Sequence, residues 1–416
     1  MDVRDTVEAV FRIESARLVA GLARIVRDVG LAEELAQDAL VIALEQWPVR
    51  GVPDDPGPWL MATAKHRAVD VLRRRANYER KLAVLGAPEG VLDEPPDLDD
   101  HMDDHIQDDL LRLIFTACHP ALSTESQVAL ILRTLGGLST TAIARAFLTT
   151  EATVSQRILR AKRTLAARRV QFELPAPAEL PARLTAALGV VYLIFNEGYS
   201  ASVGDDWARP QLCEEAIRLG RVMAGLLPSE PEVYGLCALM ELQAARLRAR
   251  TAPDGTPVLL MDQDRRLWDR LLIRRGLAAL ASAEALGTLG PYGLQAAIAA
   301  CHARALRPAD TDWPRIVALY RLLAHVAPSA VVRLNLAVAV GMASGPAAGL
   351  ALLDELDGAL TGYPYLPAAR GDLLERLGRL EEARAEFARA AALTGNGRER
   401  DLFLARAATP QPDIIG

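Results

Sequence analysis

Thr153, Ser155, Gln156, Arg157, Arg160, Lys162 and Arg163 stand within about three helical turns of one another, and each can donate a hydrogen bond. A guanidinium can grip O6 and N7 of guanine, an amide can pair with adenine, and a threonine methyl can touch thymine. Each good base contact is worth about 1–3 kcal/mol. This is the chemistry of reading a duplex, not of breaking a bond. The same arginines serve equally as phosphate contacts. The elements that must position them run from residue 138 to 167, LSTTAIARAFLTTEATVSQRILRAKRTLAA. A first short helix over 140–147 buries Ile143, Ala144 and Phe147. A second, over 151–166, carries Val154, Ile158, Ala161 and Leu165 on one face, at steps of four, three and four. Thr149 or Thr150 is placed to cap it. Thr153, Gln156, Arg157, Arg160 and Thr164 face the other way, with Lys162 and Arg163 at the flank. The pattern predicts a helix-turn-helix whose second helix can enter a major groove. A solvated amphipathic hairpin gives the same pattern. Against that reading, Arg145 to Arg169 holds seven Lys/Arg and one acid, Glu151, in a chain of net charge −6. A basic island in an acidic chain suits phosphate contact.

A second basic set lies upstream, in a helix expected to open at Pro58. Lys65, His66, Arg67, Arg73, Arg74 and Arg75 face outward, while Trp59, Leu60, Ala64, Ala68, Val71 and Leu72 can face inward. Before it, residues 48–58 read as a Pro/Gly loop. Residues 31–47 form a helix with Leu31, Leu35, Ala39, Ile42 and Ala43 on its apolar face. Glu33, Glu34, Gln37 and Asp38 occupy the opposite one. A first helix carries Val7, Val10, Phe11, Ser15, Leu18 and Leu22 and is expected to end near Gly30. Residues 87–109 hold ten acids and no Lys or Arg. That segment reads as a self-repelling tether, either a plain solvated linker or a mask for the basic surfaces beside it. Helicity is expected to resume at Leu110.

The length of 416 residues suggests about two to four domains. Ala, Leu and Arg dominate and aromatics are 5%, so the expected class is all-α. No apolar run approaches the roughly 20 residues of a bilayer span. The start, MDVRDTVEAVFRIES, lacks the features of a signal peptide. Cys118, Cys213, Cys237 and Cys301 are far apart, so neither a disulfide framework nor a metal site is expected, and a reducing cytoplasm fits. No phosphate-cradling Gly loop, HExxH or GxSxG elbow is present. The chain is read as non-enzymatic, with no cofactor.

After a Pro-broken linker, the last two hundred residues read as helical. Ser344 and Gly378, Gly349 and Ala383, and Leu353 and Phe387 are each 34 apart, the tetratricopeptide period. Small residues are expected where helices cross, and the repeats would form a groove for a peptide or protein domain. Two stretches stand outside that pattern. One holds Asn196, Glu197 and Tyr199, the other Asp262, Asp264 and Arg265. An active site, a cation site or a buried polar staple between helices would explain them, and they are taken as regulatory or structural residues of this half.

Taken together, the first 170 residues resemble the extracytoplasmic-function (ECF) group of bacterial RNA polymerase sigma factors. AEELAQDALVIALEQW resembles the region 2 helix that docks on the β′ clamp of core polymerase. The resemblance implies that Glu34, Leu35, Gln37, Asp38 and Ile42 contact it. PWLMATAKHRAVDVLRRR resembles the helix that melts and reads the −10 element, with Trp59, Lys65, His66, Arg67 and Arg73–Arg75 at that surface. His66 stands where the family usually has Asn. The recognition helix matches at Thr153, Val154, Arg157, Arg160 and Ala161, which implies −35 contact. Leu148 and Ala152 stand where Gly is frequent. The whole chain resembles the subgroup with a long C-terminal tetratricopeptide-like extension. The resemblance implies region 2 over 1–82, an acidic linker over 83–109, region 4 over 110–172 and the extension over 173–416. The implied function is promoter selection for transcription initiation, with core polymerase and promoter DNA as partners and the extension regulating it. The competing reading is a helix-turn-helix regulator with a protein-binding repeat domain that never engages polymerase.

Overall fold

A computed structural model describes residues 3–84, 106–199, 209–356 and 358–408. Every regular element among them is helical, apart from one isolated antiparallel bridge between Thr251 and Pro257. The chain forms two compact units, 1–191 and 192–416.

In the first unit, α1 (Val3–Val26), α2 (Val29–Arg50) and α3 (Pro56–Val84) pack as a bundle. Leu18, Leu22, Leu35, Ala39, Ala43, Leu60, Ala64 and Ala68 fill it. Two boundaries differ from expectation. The first helix stops at Val26, not near Gly30, because Arg27 takes φ 53° and Asp28 caps the next helix, accepting from Leu31 N at 3.0 Å. Gly30 lies buried in the first turn of α2. At its far end α2 runs through Pro48 to Arg50, and only Gly51, at φ 86°, stops it. Proline forfeits one backbone bond there. Burial of the neighbouring Trp47, 2% exposed, holds the turn in place.

Four more helices follow: α4 (Ile106–Ala117), α5 (Thr124–Thr134), α6 (Thr140–Ala146) and α7 (Glu151–Ala167). The acidic stretch therefore ends earlier than expected. Its residues 85–105 lie outside the described chain, but Asp108 and Asp109 form the first turn of α4, where helix dipoles favour carboxylates. Asp109 is buried and pairs with Arg24 at 3.2 Å and Arg112 at 2.8 Å.

After α8 (Leu180–Tyr199), the second unit stacks ten helices among the described residues. They are α9 (Pro210–Leu226), α10 (Pro231–Ala244), α11 (Arg270–Leu286), α12 (Pro291–Arg304), α13 (Trp313–Val326), α14 (Ala330–Ser344), α15 (Pro346–Asp354), α16 (Tyr365–Arg376), α17 (Leu380–Leu393) and α18 (Gly397–Ala408). Helices α13, α15 and α17 begin at Trp313, Pro346 and Leu380, 33 and 34 positions apart, so the expected period is present in the backbone. Leu353 and Phe387 are both buried. Gly349 is where helices touch: a Cβ there would lie 2.8 Å from the Ala337 carbonyl oxygen and 2.9 Å from Gly341 Cα. Ser344 and Gly378 are not at crossings. They end α14 and follow α16, where Gly378 adopts φ 75°.

His302 on α12 meets Trp313 edge-on at 5.3 Å, and its Nδ1 is buried without a hydrogen-bond partner. Burial, then the nearby Arg246 and Arg265 cations, push its pKa down from 6.5 to about 4. The folded chain thus holds the imidazole neutral where the unfolded chain protonates it. The resulting stability is complete above pH 6.5 and lost as pH falls through about 4. At most about 3 kcal/mol is at stake. Melting curves across this window are expected to fall less steeply with acid in His302→Phe than in the wild type; identical slopes would refute the assignment.

Candidate nucleic-acid interface

Ser139 caps α6 by accepting from Ala142 N at 3.1 Å, and Thr150 caps α7 by accepting from Thr153 N at 3.1 Å. Leu148 between the helices takes φ 46° and is more than half exposed. This is a conformation that favours glycine. Val154, Ile158, Ala161 and Leu165 are all buried, which fixes the rotation of α7. Ser155, Gln156, Arg160 and Arg163 are then exposed, and Thr153 and Arg157 are half-buried. The Thr153 hydroxyl already shares a 2.8 Å hydrogen bond with that of Thr150.

Lys162 does not join this outward face. Its Nζ donates to Glu33 Oε2 at 2.6 Å and to the Gly30 carbonyl at 3.3 Å, and lies 3.6 Å from Glu34. Arg133 on α5 reaches the other oxygen of Glu33 at 2.8 Å, where Gln37 also donates at 2.7 Å. Glu33, expected on the polar face, is 7% exposed. One carboxylate of α2 therefore ties α5 and α7 to the three-helix bundle. The contact is close along its length. A Cβ at Gly137 would lie 2.6 Å from Ser15 Oγ, and one at Gly30 would lie 3.2 Å from Lys162 Cδ.

On α3, His66, Arg67, Arg73, Arg74 and Arg75 are exposed and Lys65 is half-buried. Trp59 meets the buried Trp47 edge-on at 5.4 Å, so the 51–55 loop is pinned by an aromatic pair. On α2, Glu34 and Asp38 are exposed, and Gln37 and Ile42 are half-buried. Leu35, at 2% exposure, faces the bundle core and cannot touch a partner. Sequence reasoning passed over Val41, which is 52% exposed. It extends the stripe Glu34, Asp38 along one side of the helix, and that spacing was the available signal.

The candidates in the second unit separate. Glu197 pairs with Arg209. Asn196 hydrogen-bonds the Tyr192 side chain. Tyr199 lies under the Arg250 guanidinium at 3.6 Å and bonds Arg246, whose guanidinium also lies 5.8 Å from the Trp268 ring. Arg265 stands 5.0 Å from that same ring and donates to the carbonyls of His302 and Ala305 at 2.7 and 2.6 Å. Tyr199 and Arg265 thus belong to one stack of rings and guanidiniums. Asp262 and Asp264 are exposed and outside it, with Asp264 paired to Arg266. Among the described residues no group of His, Cys, Asp and Glu is arranged to hold a metal, and no helix is long and apolar enough to cross a membrane.

Residues 12–78 match sigma-70 region 2, residues 112–165 match sigma-70 region 4, and residues 183–284 match a family of unknown function, DUF6596. A Rhizobium meliloti (strain 1021) protein, described as uncharacterized, is 46% identical over 386 residues, covering 92% of this chain and 90% of its own. The crystal structure of yeast Tom70 aligns with 98% of this chain and 85% of its own, at 12% identity and a TM-score of 0.30. That likeness is too slight to support an argument.

Glu33→Ala would leave Arg133 and Lys162 half-buried without their shared counter-charge. The α2–α5–α7 contact is expected to weaken by about 3–5 kcal/mol. Amide hydrogen exchange around Gly30 and along α7 should accelerate by at least an order of magnitude. Unchanged protection would show that Glu33 does not hold the contact.

Proposed function

This chain belongs to the ECF-type sigma factors that carry a C-terminal helical extension, and from that premise we propose how its surfaces divide the work of promoter selection. Helix α7 reads the −35 element through Thr153, Ser155, Gln156, Arg157, Arg160 and Arg163. Helix α3 grips the −10 element through Lys65, His66, Arg67 and Arg73–Arg75. Trp59 with the 51–55 loop offers an aromatic floor for an unstacked base. Helix α2 meets the β′ clamp through Glu34, Gln37, Asp38 and Ile42, with Val41 added. The observation that carries the reading is the outward row Gln156, Arg160, Arg163 on a helix whose rotation is locked by four buried apolar residues.

The closed contact at Glu33 belongs to a state that is not engaged with a promoter. The −35 and −10 elements lie about 25 base pairs apart, roughly 85 Å at 3.4 Å per step. The 17-residue α7 is only about 25 Å long, and its Lys162 touches α2 directly. Two surfaces tied at 2.6 Å cannot span that distance, so Glu33 must release Arg133 and Lys162 before both elements are held. Lys162, freed, becomes available to phosphate. In this reading the extension biases that opening. Fusion supports the idea, because a tethered domain acts at high effective concentration. A regulator that never meets polymerase would have no use for a region 2 match.

Run-off transcription with core polymerase, comparing the full chain with one ending at residue 175, tests the regulatory part. Promoter output is expected to change at least severalfold, and equal output would end it. Separately, Arg160→Ala should cost about 1–3 kcal/mol on the preferred −35 sequence and relax the preference at one position. Replacing Arg73–Arg75 by Ala should weaken binding evenly across sequences and flatten its salt dependence. Equal loss on every sequence from Arg160→Ala would assign that residue to phosphate instead.

A further inference from the structure

The second unit contains a cavity of about 590 Å³ bounded by α9, the ends of α10 and α11, the 251–255 turn and α18. Four arginines distant in sequence line it: Arg221, Arg248, Arg275 and Arg398. Its floor is apolar, with Cys213, Ile217, Ala244 and Leu272 among the lining residues. The volume falls within the range of small-molecule sites, about 300–1,000 Å³.

The lining itself carries four arginines against two acids. Arg221 is taken up by the buried Glu241, its Nε at 2.8 Å from the carboxylate. The Asp269 carboxylate at the rim is spent capping α11, accepting from Leu271 N at 2.8 Å and Leu272 N at 3.1 Å. Glu214 is the other acid in the lining. Arg248, Arg275 and Arg398 make no ion pair with a carboxylate among the described residues. Arg398 is brought to the site by the 253–255 turn. Gly255 sits at φ 86°, and a Cβ there would lie 3.3 Å from the Arg398 guanidinium nitrogen. Arg275 lies in the field of Glu241 and Arg398 in that of Asp254 on the adjoining turn, but neither makes an ion pair, so the guanidiniums keep donors for an anion between them. Burial pushes the Cys213 thiol up to about 12, so it stays protonated beside the floor.

We propose that this cavity is a ligand site for a small amphipathic organic anion. Arg248, Arg275 and Arg398 hold its phosphate or carboxylate, and its apolar body lies on Ile217, Ala244 and Leu272. Planar guanidiniums suit such groups because they can bind both oxygens of an acid at once. The proposal stands apart from the promoter reading and needs neither DNA nor polymerase.

Isothermal titration of the full chain with 1-naphthyl phosphate tests it, with 1-naphthol, inorganic phosphate and hexaglutamate as comparisons. Saturable one-to-one binding of 1-naphthyl phosphate is expected, at least tenfold tighter than either half of the molecule alone. Arg248→Gln and Arg275→Gln are both surface changes and should each weaken it about tenfold or more. A second measurement needs no variant. Phenylglyoxal should modify Arg248, Arg275 and Arg398 in the free chain, and 1-naphthyl phosphate should protect those three in a peptide mass map. Absence of saturable binding, equal affinity in both variants, or protection at other arginines overturns the proposal. Binding of hexaglutamate without binding of 1-naphthyl phosphate would make the cavity a peptide groove and overturn it as well.

Discussion

Glu33 is a carboxylate that water barely reaches, shared by an arginine from α5 and a lysine from α7. Removing a charge from water costs several kcal/mol, and two cations with good geometry are what offset that here. The arrangement of the first unit follows from it. Helix α7, its rotation fixed by Val154, Ile158, Ala161 and Leu165, meets α2 with Lys162 turned inward and Gln156, Arg160 and Arg163 outward. The same contact brings the turn at Gly137 onto Ser15 of α1, where a larger side chain has no room. Such a contact is conditional. Its energy is a difference between large opposing terms, so a competing anion for Lys162 or a competing cation for Glu33 shifts it. In the proposed opening, phosphates of the duplex are anions of that kind.

Much of the first unit was legible in the sequence, because its signals are local. The steps of four, three and four that place Val154, Ile158, Ala161 and Leu165 on one face are a property of α7 alone, and burial followed them. The cap of α7, expected at Thr149 or Thr150 and found at Thr150, is local in the same sense. What could not be read was which polar residues meet across the bundle. Glu33 and Glu34 are neighbours of identical type, yet one is buried and the other exposed. The approach of Arg133 and Lys162, 100 and 129 positions away, is what distinguishes them. The pairing of Lys162 with Glu33, 129 positions away, was hidden for the same reason. Leu35 was misplaced by a different error: an apolar residue on a partner-binding helix was counted as contact surface when the bundle itself needed it.

In the second unit the period of 34 was visible because repeats restate the same packing problem. Gly349 and Ala383 keep α15 and α17 close to their neighbours, and Leu353 and Phe387 fill the space between. The polar candidates were harder. Asp262, Asp264 and Arg265 are adjacent in sequence but do different things. Arg265 is buried against carbonyls of α12 and the turn after it, while Asp264 turns outward to cap a short helical turn and pair with Arg266. Adjacency in an irregular segment carries no information about direction, since no period relates one side chain to the next.

Arginine is common in this chain, and its occurrences divide by what neutralises them. Arg133, Arg209, Arg221 and Arg370 each face a carboxylate and act as struts between elements. Arg160 and Arg163 on α7, and Arg248, Arg275 and Arg398 around the cavity, make no ion pair with a carboxylate among the described residues. Arg160, Arg163, Arg248 and Arg275 are exposed and Arg398 is half-buried, so their charged heads reach water while their stems lie along the fold. Where several such groups converge, the missing counter-charge is best supplied from outside. On α7 they form a row at helical spacing, which suits the regular phosphates and base edges of a duplex. Around the cavity they converge on a point above an apolar floor, which suits a compact anion with an apolar body. The difference between the two sites is therefore one of geometry and not of residue type, and only the second required the fold to become visible.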